Sequence, residues 1–279
     1  MSAGQSALAF RRTQARDLLL TALAPAIWGS SYIVTTQLLP QVPAMTVALL
    51  RALPAGLLLL AFARRLPQGV WWLRVFILGA LNFSVFWSML FVSAYRLPGG
   101  AAATVGAVQP LVVVFLAAWV LGSALRPASV LGALAGLAGV ALLVLTPGVR
   151  LDATGIAAGL AAAVSMACGT VLTRKWRAPV PLLTFTAWQL TAGGLLLLPV
   201  ALWAGPDFPA PTPGHLIGLA WLGLVGAALT YVLWFRGIAR LEPNMAAPLG
   251  FLSPLTAILL GWAFLDQTLT AVQMAGVAL

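Results

Sequence analysis

The sequence predicts an all-α integral membrane protein with ten transmembrane helices, arranged as two inverted five-helix repeats with both termini in the cytoplasm. Of its 279 residues, 62% are hydrophobic and 7% are charged, whereas a soluble domain carries about 25% charged residues. Apolar stretches of about 18 to 25 residues recur from end to end, and each is long enough to cross a bilayer core of roughly 30 Å. The second half of the chain also repeats the pattern of the first.

Apolar runs between charged and turn-forming residues define the ten predicted helices. The segments that connect them are short and leave no room for a soluble domain. The predicted helices span residues 18–38, 44–63, 73–95, 98–121, 128–147, 155–173, 182–203, 215–236, 243–265 and 268–279.

The basic residues orient the helices. With the N-terminus in the cytoplasm, 12 of the 15 Lys and Arg residues fall in cytoplasmic segments, two fall on the opposite side, and Arg51 lies inside the second helix. This bias is the positive-inside rule. It also accounts for the net charge of +10 without nucleic acid, since the bases occur in ones to threes and form no basic face.

Comparison of the chain with itself predicts the repeat. Matches occur at offsets of 138 and 144 residues, which divides the chain into repeats at 1–149 and 150–279. Because each repeat has five helices, an odd number, the second enters the membrane from the opposite side, as in known transporter architectures. The matching pairs include Pro43 with Pro181, Gly56 with Gly194, Phe91 with Phe235, Arg96 with Arg240, and Pro110 with Pro254.

The repeat predicts that the last helix is truncated. The fifth helix at 128–147 has its expected partner at 272–291, whereas the sequence ends at Leu279.

Short motifs give the chain a family resemblance. Trp28-Gly29 lies early in helix 1, Arg51 inside helix 2, Gln109-Pro110-Leu111 in helix 4 and Ser253-Pro254-Leu255 in helix 9. With these features the chain resembles the EamA-type exporters of the drug/metabolite transporter superfamily, and within it the bacterial aromatic amino acid exporters (YddG-type). Family members commonly have an acidic residue after helices 4 and 9; here Asp266 fills the second place but Gly122 stands in the first.

Polar and aromatic side chains at mid-span are the candidate substrate-binding residues. Asn82 and Phe86 share one helix face, as do Trp28 and Tyr32, because each pair is four residues apart. Aromatic faces offer stacking and cation–π contacts to a flat amphipathic solute, although Trp and Tyr also form interfacial belts. The full predicted set is Trp28, Tyr32, Asn82, Phe86, Gln109, Met166, Thr170, Thr230, Tyr231, Trp234 and Ser253.

Three further positions concern charge and backbone geometry. Arg51 either meets a substrate carboxylate or serves the scaffold by binding helix-end carbonyls. Pro110 and Pro254 are predicted kinks beside the cavity, acting either as hinges or as static bends.

All five acidic residues lie at predicted membrane borders or in linkers. This distribution favours transport without an embedded proton-coupling carboxylate.

The predicted function is export of small amphipathic metabolites, with aromatic amino acids as the expected substrates, by alternating access across a bacterial cytoplasmic (inner) membrane. The first alternative is a broad-specificity drug or organic cation efflux transporter. The second is an intramembrane enzyme, which is disfavoured because His215 and Cys168 are the sole His and Cys and lack catalytic partners. A channel is disfavoured because no helix is lined with polar residues.

No cofactor, metal or nucleic acid is expected. The partners are the substrate and the lipid bilayer, and small-residue helix faces suit a monomer or weak dimer.

Overall fold

The computed structural model describes residues 3–97, 105–144, 152–204, 209–265 and 270–278, and within them the regular structure is helical. These residues form ten helices, several of which change pitch along their length. They are α1 (Ala3–Leu38), α2 (Ala44–Ala63), α3 (Trp71–Gly79, a π segment Ala80–Ser84, then Val85–Arg96), α4 (Gln109–Leu121), α5 (Pro127–Val144), α6 (Ala153–Lys175), α7 (Leu182–Ala204), α8 (Pro213–Ala220, a π segment Trp221–Leu229, then Thr230–Arg240), α9 (Pro243–Ala246, a 3₁₀ segment Ala247–Phe251, then Leu252–Phe264) and α10 (Ala271–Ala278).

Seven helices of the described residues are long and apolar enough to cross a membrane by length and composition. Two more, Gln109–Leu121 and Pro127–Leu142, are apolar but shorter. A chain built from such helices is a membrane protein, as the composition predicts.

The structure corrects two predicted helix boundaries. α1 begins at Ala3 rather than at residue 18, because the polar segment before the apolar run is rich in Ala, Gln and Arg, which favour helix. The predicted fourth helix, 98–121, is interrupted: residues 107–108 form a turn and α4 begins at Gln109. Pro110 lies in the first turn of α4, where its missing N–H leaves no hydrogen bond unmade. Residues 98–104 lie outside the described residues.

The most extensive helix contact joins α2 to α7. A Cβ atom at Gly56 would lie 2.5 Å from the backbone nitrogen of Thr191, and one at Gly194 would lie 2.7 Å from the Cα of Leu53. Each of these distances is shorter than real Cβ contacts allow. The two glycines, which are partners in the sequence repeat, therefore permit the backbones of α2 and α7 to touch.

The larger of the remaining helix contacts occur in equivalent pairs. α3 packs on α6 and α7, and α8 packs on α1 and α2; α1 packs on α9, and α6 packs on α4. The contacts correspond when each helix is replaced by the helix five places along the chain. The contacts of α3 with α6 and α7 then become those of α8 with α1 and α2, and the contact of α1 with α9 becomes that of α6 with α4. α5 and α10 pack on each other.

Ionic contacts tie the end of α8 to its neighbours. The buried carboxylate of Asp17 in α1 accepts a 2.5 Å hydrogen bond from Arg236 and lies 3.5 Å from Nη1 of Arg240. Arg174 in α6 donates to the carbonyl oxygens of Ile238, at 2.8 Å, and of Leu241. These carbonyls have no partners within the helix, so Arg174 caps α8.

Candidate functional site

A cavity of about 440 Å³ lies among α1, α2, α3, α4, α6, α8 and α9. Residues from both the first five and the last five helices face it, whereas none of the lining residues that the structure describes comes from α5, α7 or α10. The volume falls within the roughly 300–1,000 Å³ typical of small-molecule sites.

Most of the residues predicted to bind substrate lie in the cavity wall. The wall also contains both predicted kink residues, Pro110 and Pro254. Pro254 follows the 3₁₀ segment of α9 and lies in the first turn of the α-helical part that begins at Leu252. The predicted binding residues that line the cavity are Trp28, Phe86, Gln109, Met166, Thr170, Tyr231, Trp234 and Ser253. The side chain of Tyr32 lies outside the described residues.

Aromatic rings form one continuous wall. The ring centroid of Trp28 lies 5.0 Å from that of Tyr231 and 5.4 Å from that of Trp234. Behind the cavity, Phe83 packs edge to face on Tyr231 with centroids 4.6 Å apart. Such tilted and edge-to-face arrangements are favourable for aromatic pairs. They fix the orientation of the rings that face the cavity.

A hydrogen-bonded chain holds this wall to α2. The indole Nε1 of Trp28 donates to the hydroxyl of Thr230 at 2.9 Å, and that hydroxyl donates to the carbonyl oxygen of Gly226 at 2.8 Å. The same carbonyl accepts a 2.7 Å hydrogen bond from Nη2 of Arg51. Thr230 is fully buried and does not line the cavity. In the structure Thr230 therefore supports Trp28 and does not face the cavity.

Arg51 combines features of both interpretations that the sequence leaves open. It binds a helix carbonyl, and it also lines the cavity. Its guanidinium lies over the ring of Trp87 with 5.1 Å between Cζ and the ring centroid, a cation–π contact. The carbonyl and the ring together fix the direction of the guanidinium.

Asn82 is the second predicted binding residue that does not reach the cavity. It is fully buried in the π segment of α3. Its Nδ2 donates to Oε1 of Gln189 at 2.9 Å and to the hydroxyl of Thr173 at 3.1 Å. In this structure the Asn82 amide therefore joins helices and does not line the cavity. Sequence spacing alone does not distinguish the two roles.

Several buried polar atoms of the wall have no hydrogen-bond partner among the described residues. They are the hydroxyls of Ser31 and Thr170 and the indole Nε1 of Trp234. The charged side chains among the described lining residues are Arg51 and Arg174, and no Asp or Glu is among them. The described lining thus carries positive charge, and the wall contains buried hydrogen-bonding groups whose partners are not among the described residues.

Sequence reasoning did not select Trp87, Ser31 or Arg174 as lining residues. The repeat contains a signal for Trp87, since an offset of 144 aligns it with Tyr231, which was selected. Arg174 was counted with the basic residues of a connecting segment. Because Arg174 caps α8, its side chain lies at the cavity and not in the connecting segment.

Apolar helices long enough to span a membrane, packed around an aromatic cavity of ligand size, are the architecture of a multi-pass membrane protein with an internal small-molecule site. The chain belongs to the EamA-like transporter family, which matches it over residues 16–145 and 153–279.

Known proteins resemble the chain over nearly its whole length. Protein PecM of Dickeya dadantii is 45% identical over 256 residues, which cover 91% of this chain and 86% of that protein. A "probable amino-acid metabolite efflux pump" of Salmonella typhimurium is 26% identical, with 95% of this chain and 92% of that protein covered. A crystal structure with 24% identity superposes with a TM-score of 0.80 over 95% of this chain and 93% of the other. This last match supports the fold alone.

Proposed function

We propose that this protein exports small amphipathic metabolites, with aromatic amino acids as substrates, by alternating access through the cavity. The observation that supports this most directly is the aromatic wall, in which Trp28, Tyr231 and Trp234 pack against one another and face the cavity. Flat rings in a substrate gain both apolar burial and stacking against such a wall. The printed description of the Salmonella relative is consistent with an amino-acid substrate.

The mechanism requires two halves that exchange conformations. We infer ten spans in two inverted repeats, 1–149 and 150–279, with the N-terminus in the cytoplasm. Three observations support the repeat: the family matches the chain twice, the larger helix contacts have counterparts five helices along the chain, and both α3 and α8 contain π segments. At an offset of 144, Ala80–Ser84 aligns within Trp221–Leu229. Paired structures of this kind allow the cavity to open to either side in turn.

We infer further that transport is not driven by a proton-binding carboxylate in the cavity. Proton-coupled carriers need an ionisable group at membrane depth that gains and loses a proton. The ionisable side chains in the described lining include two arginines, which stay protonated, and no carboxylate. Facilitated movement down a substrate gradient is the mode that this lining supports. The basic residues, concentrated on one side, favour the cytoplasmic membrane as its location.

Uptake into proteoliposomes tests the function. Purified protein in liposomes should take up labelled tryptophan with saturation, and unlabelled phenylalanine should compete, since a carrier offers a limited number of sites. Liposomes without protein give the background. A flux that is not saturable for any aromatic amino acid would contradict the assignment. Accumulation above equilibrium on imposing a pH gradient would contradict the uncoupled mode while leaving the substrate assignment in place.

A further inference from the structure

We propose that the cavity selects aromatic carboxylates and that Arg51 is the specificity-determining residue. Arg51 and Nε1 of Trp234 receive the carboxylate, and the aromatic wall receives the ring. This inference rests on the proposed function, because it assumes that the cavity holds the transported molecule. It goes beyond that function in stating that a substrate amino group is not required.

The unpartnered polar atoms of the wall point to a ligand rich in hydrogen-bond acceptors. Trp234 is 3% exposed and Thr170 is 6% exposed, and the indole nitrogen of the one and the hydroxyl of the other have no partner among the described residues. A buried polar group without a partner is costly. An indole N–H only donates, so the group that satisfies Trp234 must accept.

The charge of the cavity wall indicates that the hydrogen-bond acceptor on the ligand is an anion. Arg51 and Arg174 are the charged side chains of the described lining, and both are cations. A guanidinium matches the two oxygens of a carboxylate in a planar, two-pronged geometry. Among the described residues the lining offers no carboxylate that would pair with an ammonium group.

The geometry of Arg51 suits selection rather than general attraction. Its Nη2 is held 2.7 Å from the carbonyl oxygen of Gly226, and its Cζ lies 5.1 Å from the centroid of Trp87. A guanidinium fixed at two points is oriented before the ligand arrives, so little conformational entropy is lost on binding. The flat ring of the ligand then stacks against the neighbouring aromatic side chains.

The opposite half of the chain contains no equivalent cation. At an offset of 138, Arg51 aligns with Gln189, which is fully buried between helices and does not line the cavity. The other cation of the described lining, Arg174, already donates to the carbonyl oxygens of Ile238 and Leu241 at the end of α8. Arg51 is therefore the cation that we assign to the anionic end of the ligand.

Three ligands with the same indole ring test the inference. Indole-3-propionate is an anion, tryptophan a zwitterion and tryptamine a cation at pH 7. Equilibrium dialysis of each labelled compound against purified full-length protein should show indole-3-propionate binding at least tenfold more tightly than tryptamine, with tryptophan binding no more tightly than indole-3-propionate.

Arg51→Gln, which introduces the residue of the other repeat, should remove this preference by weakening indole-3-propionate and tryptophan, which both carry a carboxylate, while tryptamine is unchanged. Arg51→Lys should retain part of the preference, because the charge remains while the two-pronged geometry is lost. The matched control is Arg74→Gln. Arg74 also lies over aromatic rings, with its Cζ 5.0 Å from Trp71 and 5.5 Å from Trp176, but it does not line the cavity. Its substitution should leave all three affinities unchanged.

The possible failures are distinguishable. If tryptamine binds as tightly as indole-3-propionate, or more tightly, the carboxylate selection is wrong while the cavity remains a site for aromatic molecules. If both Arg51 variants bind the three ligands as the unmodified protein does, Arg51 does not determine specificity. If none of the three binds, the proposed function itself is overturned, and this inference with it.

Discussion

Two polar contacts on either side of the α2–α7 crossing occupy equivalent places in the sequence repeat but differ in chemistry. In one, Arg51 of α2 donates to Gly226 in the π segment of α8. In the other, Gln189 of α7 accepts from Asn82 in the π segment of α3. The first contact is charged and lines the cavity; the second is neutral and fully buried.

Small residues near the two contacts explain why the Arg51 side of the crossing lines the cavity while the Gln189 side is fully buried. A Cβ atom at Gly169 of α6 would lie 2.2 Å from Oδ1 of Asn82, so α3 and α6 approach closely around the neutral contact. At an offset of 138, Gly169 aligns with Ser31, which lines the cavity on the charged side. The same scaffold thus supports a sealed interface on one side and a solute-accessible wall on the other.

The largest expected effect comes from placing the charge on the sealed side. Gln189→Arg would put a guanidinium at a fully buried position. Because a buried charge without a counter-ion costs several kcal/mol, we expect no folded protein by size-exclusion chromatography in detergent. The reverse change, Arg51→Gln, is the control and should give a folded, monodisperse peak. Recovery of folded Gln189→Arg would mean that the sealed side accommodates a cation as the cavity does.

Substitutions at the α2–α7 crossing should destabilise the protein equally, whether they are made in the first or in the second repeat. Gly56→Ala and Gly194→Ala each place a Cβ atom within 2.7 Å of the partner's backbone, so each should lower the free energy of unfolding by about 3 kcal/mol. Titration with SDS in mixed micelles measures this. Gly132→Ala is the control, because a Cβ there meets no atom within 4 Å. A large difference between the first two variants would show that the crossing is not symmetric.

The neutral contact should contribute to stability and not to binding. Gln189→Met keeps the length of the side chain but removes the acceptor for Asn82 and Thr173, whose bonds to it measure 2.9 and 3.2 Å. We expect a loss of about 2 kcal/mol in the free energy of unfolding, since a buried donor loses its partner. The affinity for indole-3-propionate should stay the same. A changed affinity with unchanged stability would assign the neutral side to the ligand site.

Much of the fold follows from the sequence because the signals that define it are strong and local. The predicted range 44–63 coincides with α2 (Ala44–Ala63), and 182–203 ends one residue before α7 does. Turn-forming and charged residues border both apolar runs, which fixes their ends. The break before Gln109 was missed although Gly106 and Pro110 flank it, because the apolar run continues on both sides and Gly and Pro also occur inside membrane helices.

The candidate site was harder to predict than the helices. Trp28 and Trp234 were predicted because aromatic faces at mid-span suit stacking on a flat solute, and the structure places both in the cavity wall. Asn82 and Thr230 were assigned to the cavity incorrectly, because the direction of a polar side chain depends on which helix packs beside it. That information belongs to tertiary contacts such as the one between Asn82 and Gln189.

The smallest expected effect distinguishes the roles of two indole side chains near Arg51, those of Trp28 and Trp234. Trp28→Phe removes the Nε1 hydrogen bond to Thr230, which measures 2.9 Å, and should lower the free energy of unfolding by about 1 kcal/mol. Trp234→Phe removes an indole nitrogen that has no partner among the described residues, so it should lower stability less than Trp28→Phe does. Its effect should be on indole-3-propionate, whose affinity should fall several-fold while that of tryptamine is unchanged. Equal losses of stability with no change in binding would mean that both indoles serve only to pack the wall.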